Sequence, residues 1–451
     1  MNRPAFALLM KLAPTVPQPK GSRPRLLLLA AACNPYKGSD FGEGWERALR
    51  AAAGFDTWVI CGHWDRQDIS RYLAEHGEIP GLHLCFLQPW WLEERLKIGH
   101  PLYYTHFLPY HLWHRRAFKV AARLHREVKF DLVHQVTLVG YREPGYLWRL
   151  AAPFIWGPVG GTQNYPWRFL LQAGVRGALL EGMRSLINLL QLRFSPRVRQ
   201  AVRKATLLIA ANSQVQRDFE RVHGVKPLLL LDAGIKDMAP GGGKIFPSEA
   251  PLRLLWSGRF EHRKALPLLL KALAELPSSL RYELAILGGG PLEGRWRRLA
   301  RSLGLDEHCR WLGWLPLDQA LKQYDWADVL VFTSLRDTSG NVVLEALSRG
   351  VPVICLDHQG VGDMVTSNCG FKIPVTTPRE VIRNLAQIIS HLAEDKNQLS
   401  SLSSGALERA QDFLWSRNAE VMAKFYQEAL VGPTGFQMAA PRIPEGVSRR
   451  K

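Results

Sequence analysis

The sequence predicts an α/β protein of two consecutive doubly wound halves, each a parallel sheet covered on both faces by helices. Three observations carry that expectation. Short runs of apolar, β-branched and aromatic residues alternate with stretches of helical spacing, and they do so in two successive series. The runs are apolar throughout rather than alternating with polar residues, which is the pattern of strands buried on both faces. Between the two series lies APGGGKIFPSEAP, residues 239–251, whose glycines and prolines break either periodicity. The 451 residues are enough for two domains of ordinary size with cores of their own.

Residues 1–24 are Pro-rich and are expected to form a disordered extension. The first strand is expected at 25–33. It runs straight into NPYKGSDFGEGW, a loop carrying Gly38, Gly42 and Gly44, and a helix follows from Trp45 to Ala53. A glycine-rich turn between a buried strand and a helix is a phosphate-cradling arrangement, although this spacing is not GxGxxG. Further strands are expected at 57–62, 82–87, 131–137, 153–159, 206–212 and 227–234, closing a first domain over 25–238. Two segments interrupt the alternation. Residues 89–129 and 167–204 are long, rich in Trp, Tyr and Leu, and studded with Arg and Lys. Basic amphipathic helices with aromatic residues can lie in a membrane interface. Sheet-covering helices have the same composition, and both readings stand at this point.

After the linker the second series places strands at 252–258, 282–288, 309–314, 329–334, 352–357 and 371–374. Helices at 265–276, 292–303 and 317–326 separate the strands of a second domain over 252–412. Residues 413–431 are expected to form a final helix returning to the first domain, and 432–451 a tail that is basic and disordered over 442–451. Two doubly wound domains leave a cleft between them, a common kind of ligand site.

Composition narrows the partners. With 47% hydrophobic and 22% charged residues the chain has the balance of a soluble globular protein. No apolar run approaches the ~18 residues of a membrane span. AFALLMKLAP near the start lacks the apolar length and flanking charge of a secretory signal, so a cytoplasmic location is expected. Cys33, Cys61, Cys85, Cys309, Cys355 and Cys369 lie far apart with no metal-ligand spacing and are expected as buried thiols. The net charge of +18 is concentrated in the first half, where residues 101–204 hold 16 Lys and Arg against 4 Asp and Glu. Such a face favours a polyanion, an anionic leaflet or a nucleic acid. There is no zinc finger, no basic region with heptads and no RNA-recognition aromatic motif, so charge alone supports nucleic acid.

The chemistry is concentrated in VLVFTSLRDTSGNVVLEALSRGVPVICLD, residues 329–357, a strand–loop–helix–strand unit. Its loop stands at the carboxyl end of the sheet, where open α/β sheets bind ligands. Asp337, Gly340 and Asn341 lie in that loop and Glu345 lies one turn into the helix, so two carboxylates flank a run of free N–H groups. In WSGRFEHRKAL, Arg259 and Lys264 follow the first strand of the second half, one a planar bidentate donor and the other a compact charge. LGGGP presents Gly288, Gly289 and Gly290 between strand and helix, and Gly313 ends the next strand. His134 is a lone histidine in a strand, a type more often structural than catalytic.

The order of these pieces is more specific than any one of them. GRF…RKA, LGGGPLEG, WLGWLP and SLRDTSGNVVLEALSRGVPVI together resemble the family 4 retaining glycosyltransferases, which have the GT-B fold of two Rossmann-like domains facing across a cleft. NPYKGSDFGEGW, DLVHQVT, FIWGPVGG and Asn212-Ser213 extend the resemblance into the first half. It implies a hexosyltransferase that takes a nucleotide-sugar as co-substrate and needs neither metal nor cofactor. Arg259 and Lys264 would hold the donor diphosphate, Glu345 the ribose, and the backbone of Gly340, Asn341 and Val342 the phosphate or sugar. Gly290 and Gly313 would line the base. The loop from Gly38 through Gly42 to Gly44 would close over the phosphates, and His134 would approach the transferred sugar. One departure stands out: the family's first glutamate of a pair seven residues apart is here Asp337, and Ala265 follows Lys264 where glycine is usual.

The basic aromatic segments of the first domain suggest a membrane surface, so the acceptor expected is a glycan, lipid-linked or at a membrane surface, in cell-surface polysaccharide synthesis, with the enzyme peripheral on the inner face of the cytoplasmic membrane. A nucleotide-sugar epimerase of the same architecture, a scaffolding pseudoenzyme and a non-catalytic basic membrane- or nucleic-acid-binding protein are the alternatives.

Overall fold

A computed structural model describes residues 23–88, 90–91, 108–238 and 244–431. The N-terminal extension, the C-terminal tail, part of the linker and part of the first aromatic segment lie outside the described residues.

Each apolar run of the sequence lands on one strand. In the first domain these are β1 (Arg25–Ala30), β2 (Asp56–Gly62), β3 (Leu82–Leu87), β4 (Leu132–Thr137), β5 (Phe154–Val159), β6 (Leu207–Ala210) and β7 (Leu228–Leu229). They form one sheet in the order β3-β2-β1-β4-β5-β6-β7, parallel throughout. In the second domain β8 (Leu252–Ser257), β9 (Tyr282–Leu287), β10 (Cys309–Gly313), β11 (Val329–Phe332), β12 (Val353–Leu356) and β13 (Gly370–Ile373) form a parallel sheet ordered β10-β9-β8-β11-β12-β13. The strand order reverses between β1 and β4 and again between β8 and β11. These are the switch points beside which such sheets bind ligands. Only β7 falls well short of its expected length. It is an edge strand, and two residues suffice to pair it with β6.

The helices of the first domain are α1 (Ser39–Ala51), α2 (Arg66–His76), α3 (Leu108–Val128), α4 (Gly174–Phe194), α5 (Pro196–Lys204) and α6 (Ser213–His223). Those of the second are α7 (Leu266–Leu273), α8 (Glu293–Ser302), α9 (Leu317–Trp326), α10 (Asn341–Leu347), α11 (Gln359–Met364), α12 (Pro378–Glu394) and α13 (Lys396–Gln411), and α14 (Trp415–Val431) ends the described chain. α3 buries Trp113, Ala117, Ala121 and Leu124 against the first sheet, so the described part of the first aromatic segment is a sheet-covering helix. α14 crosses back and adds Met422, Tyr426 and Ala429 to the apolar layer of β1, β2 and α1. In return, Tyr165, Phe169 and Ala173 of the first half enter the core of the second.

Polar links join the domains across the cleft. Asn212 caps α6 by accepting from Val215 N, and its amide donates to Thr338 O at 2.7 Å. The backbone N–H and hydroxyl of Ser213 both donate to Asp363, at 2.7 and 2.6 Å. Arg336 donates to both oxygens of Glu181 on α4, at 3.0 and 3.2 Å.

Candidate active site

The site grows from the carboxyl ends of β8 and β11. After β11 the chain turns through Thr333 to Gly340 before α10 begins. Gly340 has φ 110°, a conformation open to glycine, and a Cβ there would press on the Phe332 ring at 3.2 Å. Asp337 projects from this loop and pairs with Lys264, from the short turn His262–Lys264 after β8. Arg263 lies 3.6 Å from its other oxygen, Ser334 donates to it at 3.3 Å, and its backbone N–H donates to Gln359 Oε1 at 2.6 Å. Burial pushes the Asp337 carboxyl up, but Lys264 and Arg263 outweigh it and hold the group below its ordinary 3.8. Burial likewise lowers the Lys264 ammonium, with Asp337 opposing. The result is a partly buried ion pair at the cleft, with Lys264 also 5.1 Å from the Phe332 ring centre.

Arg259 is half-exposed and pairs with Glu261 at 3.1 Å. Ala265 takes a left-handed conformation at φ 49°, where glycine is favoured, which accounts for the residue type expected there. Glu345 accepts from the buried Tyr324 hydroxyl at 2.7 Å, and burial raises its carboxyl above 4.5. Asn341 and Val342 open α10 and are partly exposed. Gly288 and Gly290 allow a close backbone approach, since a Cβ would meet Gly258 O at 2.0 Å and Phe260 N at 2.9 Å respectively. Gly313 accepts from Gly288 N at 2.8 Å, and the exposed Trp314 indole lies against Gly289. These loops line one rim of the cleft.

Two expectations fail. His134 is fully buried in the middle of β4, with Nδ1 against Tyr426 Oη at 2.9 Å and Nε2 against Gly157 O at 2.6 Å. Both ring nitrogens are used within the protein, and burial pushes the ring down to about 3. It fastens α14 to the first sheet and does not face the cleft. The glycine loop is also shorter than expected, because α1 begins at Ser39. Gly42 and Gly44 lie inside the helix, where a Cβ would strike Lys37 O at 2.7 Å and Ala32 O at 2.0 Å. They are packing glycines, and Gly38 alone remains in the exposed loop.

Some residues of the site went unnoticed in sequence. Gln359 and His358 follow β12 and hold the Asp337 loop, His358 Nε2 lying 2.9 Å from Ser334 O. The run DHQGVGD after a buried strand was the available signal. Gly160, in FIWGPVGG, brings the first domain against the same loop, since a Cβ there would fall 2.5 Å from Thr338 Cγ2.

Residues 244–406 match the family model of group 1 glycosyl transferases. The chain is 29% identical over 255 residues to D-inositol 3-phosphate glycosyltransferase of Streptomyces bingchenggensis, covering 52% of this chain and 55% of that one. It spans about half the length of the curated relatives it matches. Among solved structures it is similar to sucrose-phosphate synthase of Thermosynechococcus elongatus, with TM-score 0.63 at 19% identity over 90% of this chain and 98% of that one. Anabaena Alr3699/HepE in complex with UDP-glucose aligns with TM-score 0.54 at 18% identity, covering 89% and 99%. The fold is therefore GT-B, two parallel α/β domains across a cleft.

Proposed function

We propose that the protein is a retaining hexosyltransferase of the family 4 type, moving a sugar from a nucleoside diphosphate sugar to a glycan acceptor at a membrane surface, in the building of a cell-surface polysaccharide. The observation that carries this reading is the cluster of Lys264, Arg263 and Asp337 with the half-exposed Arg259, set at the β8–β11 switch point and facing the first domain. Cations at the carboxyl ends of parallel strands suit a diphosphate, and a carboxylate beside them suits sugar hydroxyls. The matched family and the UDP-glucose complex of HepE support the donor class.

In this mechanism the bond from the anomeric carbon to the diphosphate oxygen breaks, and the electron pair leaves with the diphosphate. Arg259 and Lys264 stabilise that charge without a metal. The acceptor hydroxyl attacks the same face, and its proton passes to the departing phosphate oxygen. Asp337 keeps Lys264 protonated and bonds the sugar hydroxyls, while Glu345, fixed by Tyr324, holds the ribose.

Thermal-shift titration with UDP-, GDP- and ADP-sugars tests the donor, since a bound ligand raises the melting temperature by mass action. Arg259→Ala and Lys264→Ala are expected to lower transfer by about 10²-fold or more with unchanged circular dichroism. Near-normal transfer in both variants would overturn the assignment.

A further inference from the structure

α4 is amphipathic the wrong way round for a helix on a water-facing surface. Its inward face carries polar residues. Asn188 is buried, donates to Thr162 O and accepts from Tyr141, and Glu181 pairs with Arg336. Its outward face carries Val175, Leu179, Met183, Leu186, Leu190 and Phe194, and Val175 is 90% exposed. Helical spacing sets these six within one half of the helix circumference. The preceding turn, Trp167–Ala173, continues the face with Trp167 and Leu171, 74% and 89% exposed. A contiguous apolar face of this extent marks an interaction surface.

Charge identifies the occupant. Arg168, Arg176, Arg193, Arg199, Arg203 and Lys204 are all exposed along this segment, and the single acidic residue of 167–204, Glu181, is turned inward onto Arg336. A second copy docked through the same face would bring these cations against their own counterparts. An anionic leaflet accepts both the apolar side chains and the basic border. No described helix is long and apolar enough to cross a membrane, so α4 would lie in the interface plane.

We propose that the outer face of Trp167–Ala173 and α4 is the surface on which this protein lies on an anionic bilayer, which deepens and rests on the membrane-surface reading of its acceptor. The arrangement has a consequence for the site. The inner side of the same helix holds Arg336, next in sequence to Asp337, so the bilayer-facing element also braces the donor loop. An acceptor carried in the bilayer would meet the cleft at the edge this helix shares with the second domain.

The test is flotation of the full chain with phosphatidylcholine vesicles, with and without phosphatidylglycerol, at low and high salt. Binding is expected only with phosphatidylglycerol and is expected to weaken with salt. The triple variant Leu179→Gln, Leu186→Gln, Leu190→Gln should bind about thirty-fold more weakly or worse, given the apolar area withdrawn. Its circular dichroism and its UDP-sugar thermal shift should match the parent chain, because the three side chains stand on the outer face of α4, 70%, 59% and 48% exposed. Equal vesicle binding by parent and triple variant overturns the proposal. So does a parent chain that light scattering finds dimeric and the triple variant makes monomeric, which would give the face to a second copy. If no nucleotide-sugar shifts the parent while the vesicle result holds, the donor reading fails and this surface stands.

Discussion

Asp337 and Lys264 set each other's charge, and that gives the site a pH signature. Lys264 grips an anion only when protonated, and burial already lowers its proton affinity, with Asp337 the largest opposing influence. Removing that carboxylate while keeping its shape, in Asp337→Asn, leaves Arg263 opposed only by the weaker influence of Glu261 and lowers the proton affinity of Lys264 further. Deprotonation then begins at lower pH, so the alkaline limb of kcat/KM should move to lower pH. At neutral pH kcat/KM should fall by about ten-fold or more. Asp337→Glu keeps the charge and should leave the limb where it was. An unmoved limb in Asp337→Asn would show that Asp337 does not set the charge of Lys264. The acid side behaves differently. The carboxyl is held below 3.8, so the stability it contributes is present above that value and is lost only as pH falls through its lowered folded-state value, far below the working range.

At the scale of elements, the joint between β4 and α14 decides what His134 does. The ring is neutral in the folded chain down to about 3, whereas an unfolded histidine charges at 6.5. Between those values the unfolded state binds the extra proton, so stability must fall as pH drops, by about 1.4 kcal/mol per pH unit for this one group. His114, buried and pushed down to about 4, adds to the same slope. His134→Gln should therefore cost about 1–3 kcal/mol at pH 7 through its weakened bonds to Tyr426 and Gly157. It should also flatten the decline of Tm between pH 7 and pH 5, and leave the transfer rate of folded protein within a few-fold. A large loss of kcat at unchanged Tm would return His134 to the chemistry.

Strands buried on both faces announce themselves as apolar runs, and all thirteen were legible. Lys264 and Asp337 were legible because each follows such a run. Glycine was ambiguous: a loop that cradles a ligand and a helix packed against a neighbouring carbonyl both exclude a Cβ, and Gly42 and Gly44 belong to the second case. Glu181 and Arg336, 155 residues apart, meet only because the topology folds one half onto the other, and nothing local signals such a pair.

The whole molecule depends on the two domains meeting. The Asp337 loop is touched from the first domain by Asn212 and by Gly160, and α11, which carries Asp363, is held by Ser213. Hydrogen bonds to a charged acceptor are worth about 1.5–3 kcal/mol each, and Asp363 accepts two from Ser213. Asp363→Ala should therefore shift the population toward separated domains. If, as proposed, the donor is gripped by the second domain and covered by the first, it then binds only the fraction that remains apposed, and its apparent affinity falls in proportion. The expected outcome is about ten-fold weaker nucleotide-sugar binding by titration calorimetry. A larger radius of gyration by solution scattering should accompany it, with unchanged circular dichroism. Asp363 shares α11 with Gln359, which holds the Asp337 loop, so weaker binding with an unaltered radius of gyration would mean that it acts within the second domain and not by holding the two together.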